Sequence, residues 1–138
     1  WNSTDRGRMS TQALSIASPL FTALAERSFD SVMVTRVNDT DEASEIVFVN
    51  DAFSELTGYG RDDVLGHTPG FLQGEDTDPE VLDRLEQDLA ADRPFHGKAV
   101  NYRKDGSRFI MEWTVQRVAE VGGETYYVAV QREAGSAD

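Results

Sequence analysis

Residues 101–132 read "NYRKDGSRFIMEWTVQRVAEVGGETYYVAVQR". β-Branched and aromatic residues alternate with polar ones, and two turn-forming clusters, "KDG" at 104–106 and "VGG" at 121–123, punctuate the run. With "GKAVNYR" at 97–103 added, the pattern predicts three long strands (97–103, 107–118 and 124–132) in successive hairpins. Side chains two residues apart share a face of a strand. Phe109, Met111 and Trp113 therefore line up on one strand, and Thr125, Tyr127, Ala129 and Gln131 on the next.

Upstream, "SVMVTRV" (31–37) and "EIVFVN" (45–50) predict a first hairpin across the polar cluster "NDTDEAS". Asn50 is placed to cap a short helix, "DAFSELT", with Phe53 and Leu56 inward and Gly58 as its stop. "RDDVLG" (61–66) fits one more helical turn. The clearest helix follows: Thr77 or Asp78 caps it, Pro79 opens it, and Val81, Leu82, Leu85 and Leu89 repeat on one face up to Pro94. Two strands, several short helices and three long strands predict an α+β domain, a five-stranded antiparallel sheet with short helices over one face.

The flanks read differently. "WNSTDRGRMSTQ" is polar and aperiodic, so a loose leader is expected. Ser18 as N-cap and Pro19 predict an N-terminal flanking helix whose stripe is Leu20, Phe21, Leu24 and Ala25. That stripe must be buried on the domain's own core or on a second copy. The expected organisation is a flank over 1–28 with a short amphipathic helix, one domain over 29–133, and a frayed tail, "AGSAD", over 134–138.

Composition narrows the function. The 138 residues suit a single core. There is no cysteine, which excludes disulfides, thiolate metal sites and thiol nucleophiles, and fits a reducing, cytoplasmic setting. No apolar run is long enough to span a bilayer, and no basic-then-apolar leader is visible. The formal charge is −12, and only Lys98 and Lys104 are lysines, every other cation being arginine. Such a surface repels phosphate backbones and anionic lipid, so neither direct nucleic-acid binding nor membrane binding is expected. The charge reads either as plain solubility or as adaptation to a high-salt cytoplasm.

"VNDAFSELTGYGRDDVLG", "FLQGEDTDPEVLDRL" and "NYRKDGSRF" together resemble a PAS domain and, more narrowly, its LOV subgroup of flavin-binding blue-light sensors. The resemblance runs from about Phe29 to Arg132, and "FLQGEDTDP" at 71–79 is its most specific string. It implies the PAS fold and a sensory function with FMN as cofactor, riboflavin or FAD being alternatives. It also implies a homodimer formed through the N-terminal helix and the outer sheet face, with an effector domain or signalling partner outside this chain. The acidic, lysine-poor composition is similar to that of halophilic archaea, in which PAS domains occur in bacterio-opsin-activator-like regulators.

The chain departs from the subgroup where its photochemistry resides. "GHTPGFLQ" (66–73) stands where the resemblance implies Gly-x-Asn-Cys-Arg-Phe-Leu-Gln, so Pro69 holds the place of the photoactive cysteine. Without a thiol the covalent photocycle is chemically impossible. Thr68 replaces an asparagine implied to contact the ribityl chain, and Gly70 replaces a phosphate-gripping arginine. Glu86 aligns with a second such arginine. Two pairings lost and one repulsion gained weaken phosphate capture by several kcal/mol, on the order of magnitude for such pairs, unless Arg84, Arg61 or Arg93 compensates. Gln73 matches a ribityl contact, and Asn101 keeps the first of two ring-pairing asparagines, while Met111 replaces the second. Gln131 keeps the glutamine implied to face flavin N5.

The residues themselves leave two readings open. A sheet face carrying Met111, Trp113 and Tyr127 beside the amides of Asn101 and Gln131 suits a flat aromatic ring. The same large side chains can instead fill the pocket, leaving a flavin-free PAS module for dimerisation or for another small aromatic ligand. In the first reading flavin is held non-covalently and reports redox state or blue light, with Trp113, Tyr127 or Tyr126 as electron donors. Other features read as structure. His67 and His96 have no ligand set at metal spacing, and "NDTDE" and "GEDTDPE" lack the pattern of a calcium loop. No serine sits in a nucleophile elbow, and turn geometry accounts for the glycines of 58–74. Nothing points to an enzyme.

Overall fold

The computed structural model describes residue 20, residues 23–38 and residues 44–137. Strands β1 (Ser31–Asn38) and β2 (Glu45–Val49) form the first hairpin. Helices α1 (Asp51–Thr57) and α2 (Arg61–Val64), a 3₁₀ turn (Pro69–Leu72) and helix α3 (Pro79–Ala90) follow. Strands β3 (Phe95–Tyr102), β4 (Arg108–Val121) and β5 (Glu124–Ser136) complete the chain. They form one antiparallel sheet in the order β2-β1-β5-β4-β3, so the last strand inserts beside the first.

The expected caps are present. Asn50 Oδ1 accepts from the Phe53 amide at 3.1 Å, and Gly58 closes α1 at φ 80°, a conformation that costs only glycine little. Asp78, rather than Thr77, caps α3 by accepting from the Glu80 amide at 2.9 Å. Thr77 instead donates to the Val100 carbonyl at 2.7 Å, tying the loop before α3 to β3. Asn50 does more than cap. Its Oδ1 also accepts from the Val32 amide at 2.9 Å, and its Nδ2 donates to the carbonyls of Ala25 and Asp30 at 2.7 and 3.0 Å. One fully buried amide thus joins the N-terminal helical residues, the start of β1 and α1.

The core lies between the inner sheet face and the helices. Phe53, Ile46, Val49, Val64, Phe95 and Phe109 are essentially inaccessible, and burying each such side chain stabilises by about 1.5–3 kcal/mol. α3 packs on β3 and contributes the half-buried Val81, Leu85 and Leu89 to this core.

Three expectations change. The "AGSAD" stretch is not simply a tail: β5 runs through Ser136, and Gly135 and Ser136 pair with Ile110 and Phe109, because β4 extends far enough to offer them partners. Gly74 is not explained by turn geometry. A Cβ there would lie 2.3 Å from the Tyr102 ring, so the residue is glycine to admit that ring. The N-terminal stripe divides: Ala25 is buried, while Leu20 and Leu24 are exposed. The expected cap at Ser18 and Pro19, along with Phe21, lies outside the described residues.

Candidate functional site

A cavity of about 110 Å³ opens between the inner sheet face, the 3₁₀ turn and α3. A water molecule needs only ~10–15 Å³ on the same scale, so the space is several times what one water requires. Met111, Trp113 and Val115 on β4 and Tyr127, Ala129 and Gln131 on β5 line its floor. Each trio has period two, as the alternation of a strand requires. Asn101 on β3 and Met33 and Thr35 on β1 extend the floor, and Leu85 and Leu89 of α3 close over it. Pro69, Leu72 and Gln73 form the edge at the 3₁₀ turn.

Met111 and Trp113 therefore wall the cavity without abolishing it. The Trp113 ring leans on Phe95, with centroids 5.1 Å apart and planes at 50°, which holds it against the wall. Trp113 and Tyr127 both border the cavity, whereas Tyr126 has the opposite strand parity and its hydroxyl donates to Glu124 at 3.1 Å.

The two amides are buried and have protein partners. Gln131 Oε1 accepts from Ser31 Oγ at 2.9 Å, and Asn101 Nδ2 donates to the Ala99 carbonyl at 3.4 Å. Among the described residues no buried side-chain nitrogen or oxygen lacks a partner. The ligand case consequently rests on the open space and its lining, not on orphaned amides. The fit is one-sided. Apolar walls with two orienting amides suit a flat heteroaromatic ring, but none of the described lining residues carries a charge to hold a phosphate.

The remaining sequence candidates lie elsewhere. Thr68 is exposed ahead of the 3₁₀ turn and is not part of the lining, and Gln73 reaches the edge while staying largely exposed. Arg84 is turned away to Phe95, its guanidinium 5.0 Å from the ring centroid. With that ring it fills the space above Gly97. Arg61 pairs with Glu26 and donates to the Val49 carbonyl at 3.0 Å, and Arg93 pairs with Asp88 at 3.2 Å.

Ser31 was missed as a partner of Gln131. The signal was available, since Ser31, Met33 and Thr35 share a strand face by period two. A second cluster lies on the outer face. His96 Nε2 is 2.6 Å from Glu112 Oε2, and Arg132 donates to Glu112 Oε1 at 2.9 and 3.1 Å. The His96 hydrogen bond first, and Arg132 next, hold the Glu112 carboxyl below its ordinary value. This cluster assembles only through the β3–β4–β5 register, which spacing alone does not reveal.

A five-stranded antiparallel sheet whose inner face shares a cavity with a helix and a 3₁₀ turn defines a small α+β domain. The family model described as PAS domain matches residues 30–133, and the chain belongs to that family. Its relatives are blue-light receptors. The chain is 44% identical over 79 residues to blue-light-activated histidine kinase 1 of Erythrobacter litoralis, covering 57% of this chain and 21% of that protein. It is 31% identical over 106 residues to a blue-light photoreceptor of Listeria monocytogenes, covering 77% and 42%. It thus spans between a fifth and less than half of these relatives.

Solved light-oxygen-voltage structures share the fold. An RNA-binding light-oxygen-voltage receptor matches with a TM-score of 0.75 and 28% identity over 90% of this chain and 34% of its own. The LOV domain of the Erythrobacter litoralis EL346 blue-light activated histidine kinase matches at 0.70 and 28%, over 80% of this chain and all of its own.

Proposed function

We propose that this domain is a LOV-type sensor that holds flavin non-covalently and reports redox state or blue light without a cysteinyl adduct. The observation that carries the reading is the cavity on the inner sheet face, kept open beside Met111 and Trp113 with Asn101 and Gln131 in its floor. Pro69 borders it where the LOV pattern has cysteine, and the chain contains no cysteine anywhere.

A bound flavin supplies a ring nitrogen that accepts a hydrogen bond when oxidised and donates one when reduced and protonated. Gln131 can answer either state, because a primary amide both donates and accepts. Presenting the other end requires the amide to turn, and Ser31 Oγ, itself donor and acceptor, can partner it both ways. Ser31 starts β1, and the next residue, Val32, is anchored to Asn50, so the turn reaches the N-terminal helical residues. Signal then passes to an effector outside this chain, by way of a homodimer. The exposed Leu20 and Leu24 of the flank, Phe29 at the start of the domain, and Val118 and Val130 on the strands provide apolar surface for that dimer.

Absorption spectroscopy of the purified protein tests the reading, followed by identification of any chromophore released by heat. A three-peaked blue band that bleaches under light or reductant supports it. The lack of a phosphate partner in the described lining leaves a competing reading, a flavin-free PAS module, which a colourless protein that takes up no added flavin would support instead.

A further inference from the structure

We infer that the cavity selects an uncharged heteroaromatic ligand, riboflavin in preference to FMN or FAD. The inference rests on the flavin reading and extends it at the ligand's distal end.

A terminal phosphate carries about −1.5 to −2 charges at neutral pH and needs donors or cations where it emerges from the site. The described residues that line this cavity are all uncharged. The three described arginines that the sequence offered as phosphate partners are engaged elsewhere: Arg84 on the Phe95 ring, Arg61 with Glu26, and Arg93 with Asp88. Swinging Arg84 inward would forfeit its ring contact and vacate the space it fills above Gly97.

The helix over the cavity is predominantly acidic. Helix α3, which lays Leu85 and Leu89 over the cavity, carries Glu80, Asp83, Glu86 and the Arg93-paired Asp88, with Arg84 as its one cation. A helix of this size is about 18 Å long. Its carboxylates therefore all act within one Debye length at about 0.01 M salt, where that length is ~30 Å, and are screened at about 1 M, where it is ~3 Å. The chain's net charge of −12 adds to the repulsion. A neutral polyol chain meets no such field, and the Gln73 amide at the edge can still hydrogen-bond it.

Equilibrium dialysis of the ligand-free chain against riboflavin, FMN and FAD, at about 0.01 M and about 1 M salt, tests this. Riboflavin is expected to bind at least about tenfold tighter than FMN or FAD at low salt, with the gap narrowing at high salt. FMN binding as tightly as riboflavin at low salt overturns the inference and leaves the flavin reading standing. Binding of none of the three, at either salt, overturns the flavin reading and this inference with it.

The variant Glu86→Arg, on an exposed face of α3, provides the second arm. It is expected to tighten FMN selectively, with riboflavin unchanged and the circular-dichroism spectrum preserved. Equal changes for both ligands overturn the inference.

Discussion

Ser31 and Gln131 are directly opposite in the β1–β5 register, and the Ser31 hydroxyl donates to the Gln131 carbonyl oxygen at 2.9 Å inside the sheet. Both residues are almost fully buried. Ser31→Ala leaves a buried acceptor without its donor, which costs about 1–3 kcal/mol. Removing both polar groups, as Ser31→Ala with Gln131→Leu, leaves nothing stranded. Urea midpoints for the two single variants and the double variant should show the double change costing less than the sum, by at least about 0.5 kcal/mol. Additive losses would mean that the bond does not hold the amide.

The same pair bears on signalling. With flavin bound, Gln131→Leu should abolish any flavin-dependent change in dimerisation or strand structure while leaving the chromophore in place. Hydrogen–deuterium exchange along β1 and β5, in the oxidised and the reduced protein, is the readout. A change that survives in Gln131→Leu removes this amide from the proposed route.

Asn50 offers a sharper stability test. Its side chain accepts from two amides and donates to two carbonyls, drawn from three stretches of chain. Asn50→Ala is expected to cost more than about 2 kcal/mol, since a lost cap and stranded buried groups combine. Asp78→Ala removes an exposed cap and should cost about 1 kcal/mol. Chemical denaturation of both variants checks the contrast, and equal losses would refute the hub role.

How much of this was legible depends on the range of the interaction. The alternation of Phe109, Met111 and Trp113 displays the inner face directly, since strand parity is local. The caps at Asn50 and Asp78 are equally local, but the bonds from Asn50 to Ala25 and Asp30 are not, because they depend on where a distant segment docks. The extent of β5 was hidden for a similar reason. "AGS" carries no strand signal of its own and pairs because β4, with bulges near Ile110 and Arg117, presents Phe109 and Ile110 to it. At the site, Asn101, Met111, Trp113 and Gln131 were identified from parity and family resemblance together. Arg84 was offered as a phosphate partner by its reach, and its contact with the Phe95 ring was not legible, because that ring lies eleven residues on, across the turn into β3.

Gly74 tests close approach separately from backbone conformation. The Tyr102 ring occupies the place of a Cβ, and its hydroxyl accepts from the Asp76 amide at 2.9 Å, so the ring cannot simply swing aside. Gly74→Ala should cost about 1–3 kcal/mol, the range for overpacking. Gly135→Ala, where an added Cβ meets nothing within 4 Å, should stay within about 0.5 kcal/mol of wild type. Thermal melts of the two variants decide it; a tolerated Gly74→Ala would mean that the loop gives way rather than the ring.

The outer-face cluster predicts a pH dependence. The Glu112 carboxyl, only 15% exposed, is held below its ordinary value by His96 first, by Arg132 next, and further by the charge of Lys98. A carboxylate depressed on folding contributes stability that is present above its unfolded value and is lost as pH falls through its folded value. Wild type should therefore be more stable than Glu112→Gln at neutral pH. The gap should close only at acid pH, below the ordinary carboxylate value of 4.5 for this group. Urea midpoints of both proteins, measured stepwise from neutral to acid pH, provide the check. A gap that stays constant across that range would show that Glu112 acts through packing rather than charge.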